Sequence, residues 1–243
     1  MSKYTNVVYP EDKGNAYPQK LCNYISERFF NTSEIKKSKI LDIGCCKGTA
    51  LHSFKRSGNF KLFGIDMRDE KVEGIEFKAC NLEKEKIPFP TDFFDFIYSK
   101  SVLEHVANTD NFLSEALRVL KPGGRAVFLT PDWRSQYKCF WNDYTHVKPF
   151  TRKSLRDSLL IHGYNSVDCE YFYQLPFIWK YPFLKFIPQI ISILPDSFKW
   201  KTSEQRNTKD RKLIRFSKEK MLLVSGRKAE YPVTDTARGY DNE

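Results

Sequence analysis

Asp42, Gly44 and Gly48 fall close together in KILDIGCCKGTAL, residues 39–51, and their types and order suit the binding of a nucleoside-bearing cofactor. A carboxylate ending an apolar strand, followed by glycines and a helix start near Thr49, surrounds a ligand with backbone N–H groups and a fixed negative charge. The glycines permit positive φ and close approach of the backbone. Asp42 suits a cationic ligand better than a pyrophosphate, which favours S-adenosylmethionine over a dinucleotide. A second apolar run, FKLFGID at 60–66, ends on Asp66. An acid there can accept both ribose hydroxyls, with Met67 beside it to lie on an adenine face.

A different group of residues has acid–base character. WNDYTHVKPFT, residues 141–151, gathers Asp143, His146 and several aromatics ahead of a helix. Methyl transfer from a sulfonium is an in-line displacement governed by positioning, but a hydroxyl acceptor must also lose its proton. His146 is the preferred base, although an imidazole that ties the loop to the body is an equally good structural reading. Asp143 could orient His146, act as base itself, or cap a turn. His105, in SVLEHV at 101–106, could shape the pocket or move a proton. His52 and His162 receive no role, and Lys47 reads as a solvated loop charge.

These groups need a scaffold. Residues 17–30 have helical spacing of apolar positions, and 60–66, 77–81, 93–99 and 125–130 read as strands. EALRVLKPGG at 115–124 reads as an amphipathic helix stopped by Pro122 and two glycines. A capped helix at 151–162, a strand at 166–173 and a last strand at 220–225 complete the alternation, which specifies a parallel α/β sheet covered on both faces.

In sequence order these motifs, LDIGCCKG, SVLEHV and RVLKPGG, resemble the class I S-adenosylmethionine-dependent methyltransferases, specifically the small-molecule "type 11"-like group. The resemblance implies a Rossmann-like, mostly parallel seven-stranded sheet, and S-adenosylmethionine as cofactor. It places Asp42, Gly44, Cys46 and Gly48 around the methionine portion and Asp66 on the ribose. Met67, Asn81 and Leu82 fall near the adenine, and Ser99 beside the sulfonium. Two positions depart from the pattern: Cys46 stands where Gly is common, and Asn81 where Asp is common. Cys is small enough for the turn, and an Asn amide oxygen can still accept from an adenine amino group.

The minimal form of that fold joins its last two strands by a short hairpin. Here an insertion at about 174–217 intervenes within a single domain spanning 1–230, with a disordered tail expected at 231–243. The insertion is aromatic, broken by prolines and apolar in patches; its longest charge-free run is too short to span a bilayer, which takes about 20 residues. It could cap the active site, form a dimer face, or lie against a membrane through about 174–200. Net charge is +10, and residues 180–230 hold 13 Lys or Arg against 5 Asp or Glu, so most of the basicity sits in that one segment. Nucleic acid is disfavoured as a partner because no RNA-binding module accompanies the charge, leaving RNA methylation as an alternative only.

The six cysteines form no CxxC pair, and no histidine stands at metal-ligand spacing. Reduced thiols, a cytoplasmic setting and no metal are therefore expected. The DxTHxxPF loop resembles those of enzymes of glycan or sugar-nucleotide assembly, which implies O-methylation of a sugar hydroxyl on a small-molecule or glycan acceptor. A lipid or quinone acceptor, and a non-catalytic cofactor-binding platform, are the competing readings. Oligomeric state stays open.

Overall fold

Apolar side chains alternate between two faces along the central strands, so the sheet they form must be covered on both sides. The computed structural model describes residues 16–30, 38–69, 72–195, 198 and 212–230. Its strands are β1 (Lys39–Ile43), β2 (Lys61–Asp66), β3 (Glu76–Ala79), β4 (Phe94–Lys100), β5 (Leu120–Pro131), β6 (Asn165–Phe172) and β7 (Met221–Arg227). They form one sheet in the order β3-β2-β1-β4-β5-β7-β6. The pairs β1–β2, β1–β4, β2–β3 and β4–β5 are parallel, and only β7 runs antiparallel to its neighbours β5 and β6. This is the Rossmann-like α/β sheet that the resemblance implies.

The described helices are α1 (Tyr17–Phe29), α2 (Thr49–Ser57), α3 (Thr109–Val119), α4 (Trp133–Gln136), α5 (Arg152–Ile161), α6 (Pro176–Lys180), α7 (Phe186–Ser192) and α8 (Lys212–Lys218). One face of the sheet sends Leu41, Ile43, Ile97, Phe128 and Val224 against Phe112 and Ala116 of α3 and Leu155 and Leu159 of α5. The other sends Ile40, Phe96, Tyr98, Val127 and Leu223 against Leu21 and Ile25 of α1 and Leu51 and Phe54 of α2. Along β5, Ala126 and Phe128 face the first layer while Val127 and Leu129 face the second, which is the period-2 rule at work. Thr151 and Ser154 cap α5 reciprocally, an arrangement worth about 1 kcal/mol.

Two sequence readings need correction. The helix expected over 115–124 ends at Val119, and Leu120 already opens β5 opposite Phe94. The residue before a proline is driven out of the helical region, so Lys121 continues an extended chain, and Gly123 at φ +74° bends the strand start rather than capping a helix. The last strand extends to Arg227, beyond the expected 225. The expected tail at 231–243 lies outside the described residues.

The insertion leaves β6 and forms α6, a short 3-10 turn Pro182–Lys185 and α7. Trp179 fixes it to the body: its ring stacks on Phe172 at 5.1 Å and meets Tyr24 at 5.3 Å and Tyr17 at 5.7 Å. The indole Nε1 donates to the Tyr173 carbonyl at 2.8 Å.

Candidate active site

At the C-terminal ends of β1 and β2 the glycine loop folds back on the sheet. The N–H groups of Gly44 and Cys45 both donate to the Ile65 carbonyl, and Gly48 N–H donates to the Cys45 carbonyl. Gly44 and Gly48 have φ +78° and +71°. A Cβ on Gly44 would lie 2.3 Å from Val102 Cγ2, and one on Gly48 would lie 2.5 Å from Ile75 Cδ1, so neither position admits a side chain without displacement. Gly48 is also the residue from which α2 springs, and His52 N–H donates to its carbonyl. Cys46 takes the remaining left-handed turn at φ +48°, with its thiol exposed.

Asp42 is 4% exposed, and among the described residues no donor reaches its carboxylate. Burial, and then the nearby Asp66, raise its pKa well above the usual carboxylate range. An enclosed acid beside a second acid and lacking a cation is a seat for a positively charged ligand. The amino and sulfonium groups of S-adenosylmethionine have that charge, and the residues present therefore fit this cofactor.

Asp66 is more constrained than its sequence position suggests. Its Oδ2 accepts from Cys46 N–H at 3.0 Å, while Oδ1 accepts from Arg68 N–H and Nε, each at 3.1 Å. Arg68 Nη2 also reaches Cys46 Sγ at 2.8 Å. Sequence reasoning overlooked Arg68, although a cation two residues after the acid that ends β2 was a legible signal. Met67 is 51% exposed, so its face is open to an adenine. Asn81 Oδ1 accepts from Glu83 N–H at 3.0 Å, which closes a turn and leaves the oxygen's second lone pair for another donor. Leu82 is buried, and its carbonyl accepts from Asn111. Ser99, buried at the end of β4, donates to the Ile43 carbonyl at 2.8 Å and locks β4 to β1.

The acid–base residues converge where the 3-10 turn Leu103–His105 meets the loop after β5. Val147 and Lys148 N–H groups both donate to the Glu104 carbonyl, which holds the loop against the turn. Thr145 Oγ1 donates to Asp143 Oδ1 at 2.6 Å, so that hydroxyl is left to accept from His105 Nδ1 at 2.9 Å. His146 Nδ1 faces the Phe140 carbonyl at 2.7 Å, and a carbonyl can only accept. Both imidazoles thus carry their proton on Nδ1 when neutral and present Nε2 as the basic atom. Asp143 orients His105 through Thr145; its Oδ2 stands 3.9 Å from His146 Nε2, beyond hydrogen-bond reach.

Glu104 joins this group. It is 1% exposed, and Thr130 Oγ1 donates to its Oε2 at 2.9 Å. Burial raises its pKa to about 7, and burial followed by the neighbouring His146 lowers that of His105. A ligating atom from each of Glu104, His105 and His146 lies within 4.8 Å of the others, a cluster that could also take a divalent ion. Sequence spacing did not show it because His146 arrives from a separate loop. Lys100, next to Ser99, is a further overlooked residue: burial lowers its pKa, opposed by Glu104 and Cys22.

The sheet order with its single antiparallel strand, the glycine loop after β1 and the acid ending β2 define the S-adenosylmethionine-dependent methyltransferase fold. The chain belongs to that family: residues 15–168 match a family described as "Methyltransferase domain". Among curated relatives, the human mitochondrial ubiquinone biosynthesis O-methyltransferase is 34% identical over 106 residues, 38% of this chain and 28% of that protein. The demethylmenaquinone methyltransferase of Tropheryma whipplei is 33% identical over 128 residues, 49% of this chain and 48% of that protein. The chain thus spans less than half the length of either relative. A putative methyltransferase from Haloferax volcanii, solved in complex with the Trm112 methyltransferase activator, superposes with a TM-score of 0.64 at 15% identity, covering 93% of each chain. A Haemonchus contortus phosphoethanolamine N-methyltransferase in complex with S-adenosyl-L-methionine gives 0.59 at 17% identity, covering 87% of this chain and 52% of that one.

Proposed function

We propose that residues 1–230 act as one domain that O-methylates an acceptor hydroxyl, with Asp42, Gly44, Cys46, Gly48, Asp66, Met67, Asn81, Leu82 and Ser99 forming the cofactor side. S-adenosylmethionine, when bound, supplies an electrophilic methyl on a sulfonium. The observation that carries the reading is the pair of imidazoles whose Nδ1 atoms are tied to oxygen acceptors, leaving Nε2 basic. His146 Nε2 accepts the hydroxyl proton, and Asp143, through Thr145, keeps His105 turned in the same sense. Amine acceptors that are already neutral need no such base.

A sugar hydroxyl in glycan or sugar-nucleotide assembly fits the loop, because Trp141 and Tyr144 stand exposed beside the base and aromatic faces suit sugar C–H surfaces. A lipid or quinone phenol is the second reading, favoured by the relationship to a ubiquinone biosynthesis O-methyltransferase and by the apolar insertion. On either reading the protein works in the cytoplasm or at a membrane face. The test is transfer of labelled methyl to a panel of sugar nucleotides, glycolipids, short-chain quinols and RNA, by wild type and His146→Asn. Methyl ether formation that falls at least about 100-fold in the variant supports the assignment. Methylation of nitrogen or carbon, or a variant as active as wild type, refutes it. Cofactor binding without transfer to any acceptor would favour the interaction platform.

A further inference from the structure

α7 and the 3-10 turn before it present an apolar stripe that no described residue covers. Phe183, Phe186, Ile190 and Ile193 recur at helical spacing, and their exposures are 73%, 52%, 62% and 82%. The opposite side of the same segment, at Leu184, Ile187, Pro188 and Ile191, is turned inward and at least partly buried. Between the two lies a polar line of Lys185, Gln189 and Ser192. A helix that has already buried one apolar face has no folding reason to carry a second one. Contiguous exposed apolar surface of this kind marks an interaction site.

Charge says what the occupant is. Between Glu170 and Asp196 the sequence contains no acidic residue, while the exposed Lys180 and Lys185 flank the stripe. Exposed Tyr181 sits at the same edge, and an aromatic with a polar tip favours the boundary between water and hydrocarbon. Apolar residues on one side, lysines at the waterline and no acid to repel lipid phosphate are the features of a helix lying in a bilayer interface. No helix among the described residues is long and apolar enough to cross a membrane, and the stripe itself is suited to contact from one side.

We propose that the Phe183–Phe186–Ile190–Ile193 stripe docks this protein onto the surface of an anionic lipid bilayer. The proposal rests on the reading above only for its purpose, the presentation of the active site to a membrane-borne acceptor. Trp179 supplies the connection, since it clamps the insertion to α1, the helix beside the cofactor loop. A second copy of the chain is the competing occupant, and the lysines argue against it: self-association across a two-fold axis would bring them towards one another.

The test is flotation of the full chain with phosphatidylglycerol–phosphatidylcholine vesicles and with pure phosphatidylcholine vesicles, at low and high salt, alongside light scattering for molecular mass. Wild type is expected to float with the anionic vesicles, at least about tenfold more than with neutral ones, and to be partly released by salt. Phe183→Asp with Ile190→Asp should abolish flotation, and Lys180→Glu with Lys185→Glu should weaken it on anionic vesicles alone. All four side chains lie outside the core, and cofactor titration of each variant should match wild type, which also separates this proposal from the methyl-transfer reading. Absence of flotation at low salt, or flotation that survives the Phe183/Ile190 variant, overturns it. So does a dimer that the same variant converts to monomer, which would assign the stripe to a second copy.

Discussion

Arg68 occupies the Asp66 carboxylate, and if Asp66 holds the cofactor ribose as proposed, removal of the Arg68 side chain is expected to tighten cofactor binding. In the structure Asp66 receives four donors: the backbone N–H groups of Cys46 and Arg68, at 3.0 and 3.1 Å, and Arg68 Nε and Nη2, at 3.1 and 3.4 Å. The two backbone bonds keep the carboxylate in place whatever residue stands at 68, so Arg68→Ala frees oxygen lone pairs without releasing Asp66. A hydrogen bond to a charged group contributes about 1.5–3 kcal/mol. The Arg68 side chain is 18% exposed and one of its two bonds is long, which brings the competition down to about 1–2 kcal/mol, or roughly 5- to 30-fold in Kd. Calorimetric titration of S-adenosylmethionine and S-adenosylhomocysteine distinguishes two origins. Gains equal for both ligands mean that a ribose seat was freed; a larger gain for S-adenosylmethionine means that a repelling cation was removed. Unchanged or weaker binding of both ligands to folded Arg68→Ala would show that Arg68 does not compete and would refute the argument.

Other substitutions give equally definite expectations. Asp42→Asn should raise the melting temperature of the cofactor-free protein near neutral pH, because the raised Asp42 pKa means that ionisation penalises the folded state as pH rises, and it should weaken S-adenosylmethionine more than S-adenosylhomocysteine. Glu104→Gln removes a group whose pKa is raised to about 7, so the variant should gain up to about 3 kcal/mol over wild type above that pH and lose the gain as pH falls towards the ordinary carboxylate value, read by denaturant titration at several pH values. Gly44→Ala should abolish detectable cofactor binding and cost about 2–4 kcal/mol of stability, the sum of left-handed strain and the clash with Val102. Thr145→Val removes the hydroxyl that links His105 to Asp143 but leaves the Thr145 carbonyl, 3.2 Å from His105 Nδ1, to hold the tautomer. It should therefore shift the acid limb of the pH–rate profile only through loss of the Asp143 link; a profile identical to wild type would show that Asp143 does not act on His105.

The sheet was legible because its signals are local. The apolar runs at 39–43, 61–66 and 94–100 carry their period within a few residues, and the first two have an acid at or next to their end. The glycine loop was legible for the same reason, since Gly44 and Gly48 are read off the turn they must make. The helix over 115–124 misled because the pattern of α3 runs without interruption into Leu120, and pairing with Phe94, a contact distant in sequence, decides where it stops. The acid–base cluster was half legible. His105 and His146 could each be picked out by type, but their shared orientation depends on Thr145 and the Phe140 carbonyl, and Glu104 joins them only through a burial that no sequence window records. The Asx turn from Asn81 to Glu83, which sets the orientation of that amide, follows from the local preference of asparagine for its own backbone.

The clasp made by Trp179 also bears on how such a chain can change over evolutionary time. Because the indole is shared between α1 and the insertion, and Tyr17 Oη donates to Gln174 Oε1 across the same seam, the insertion is no detachable ornament. Deleting it would strip cover from Tyr24 and Phe172 and loosen the helix beside the cofactor loop, so a shorter descendant would have to rebuild its amino-terminal helix at the same time. The two segments are therefore expected to be inherited, exchanged or lost as a pair, and grafting the insertion onto a related domain should succeed only when α1 travels with it.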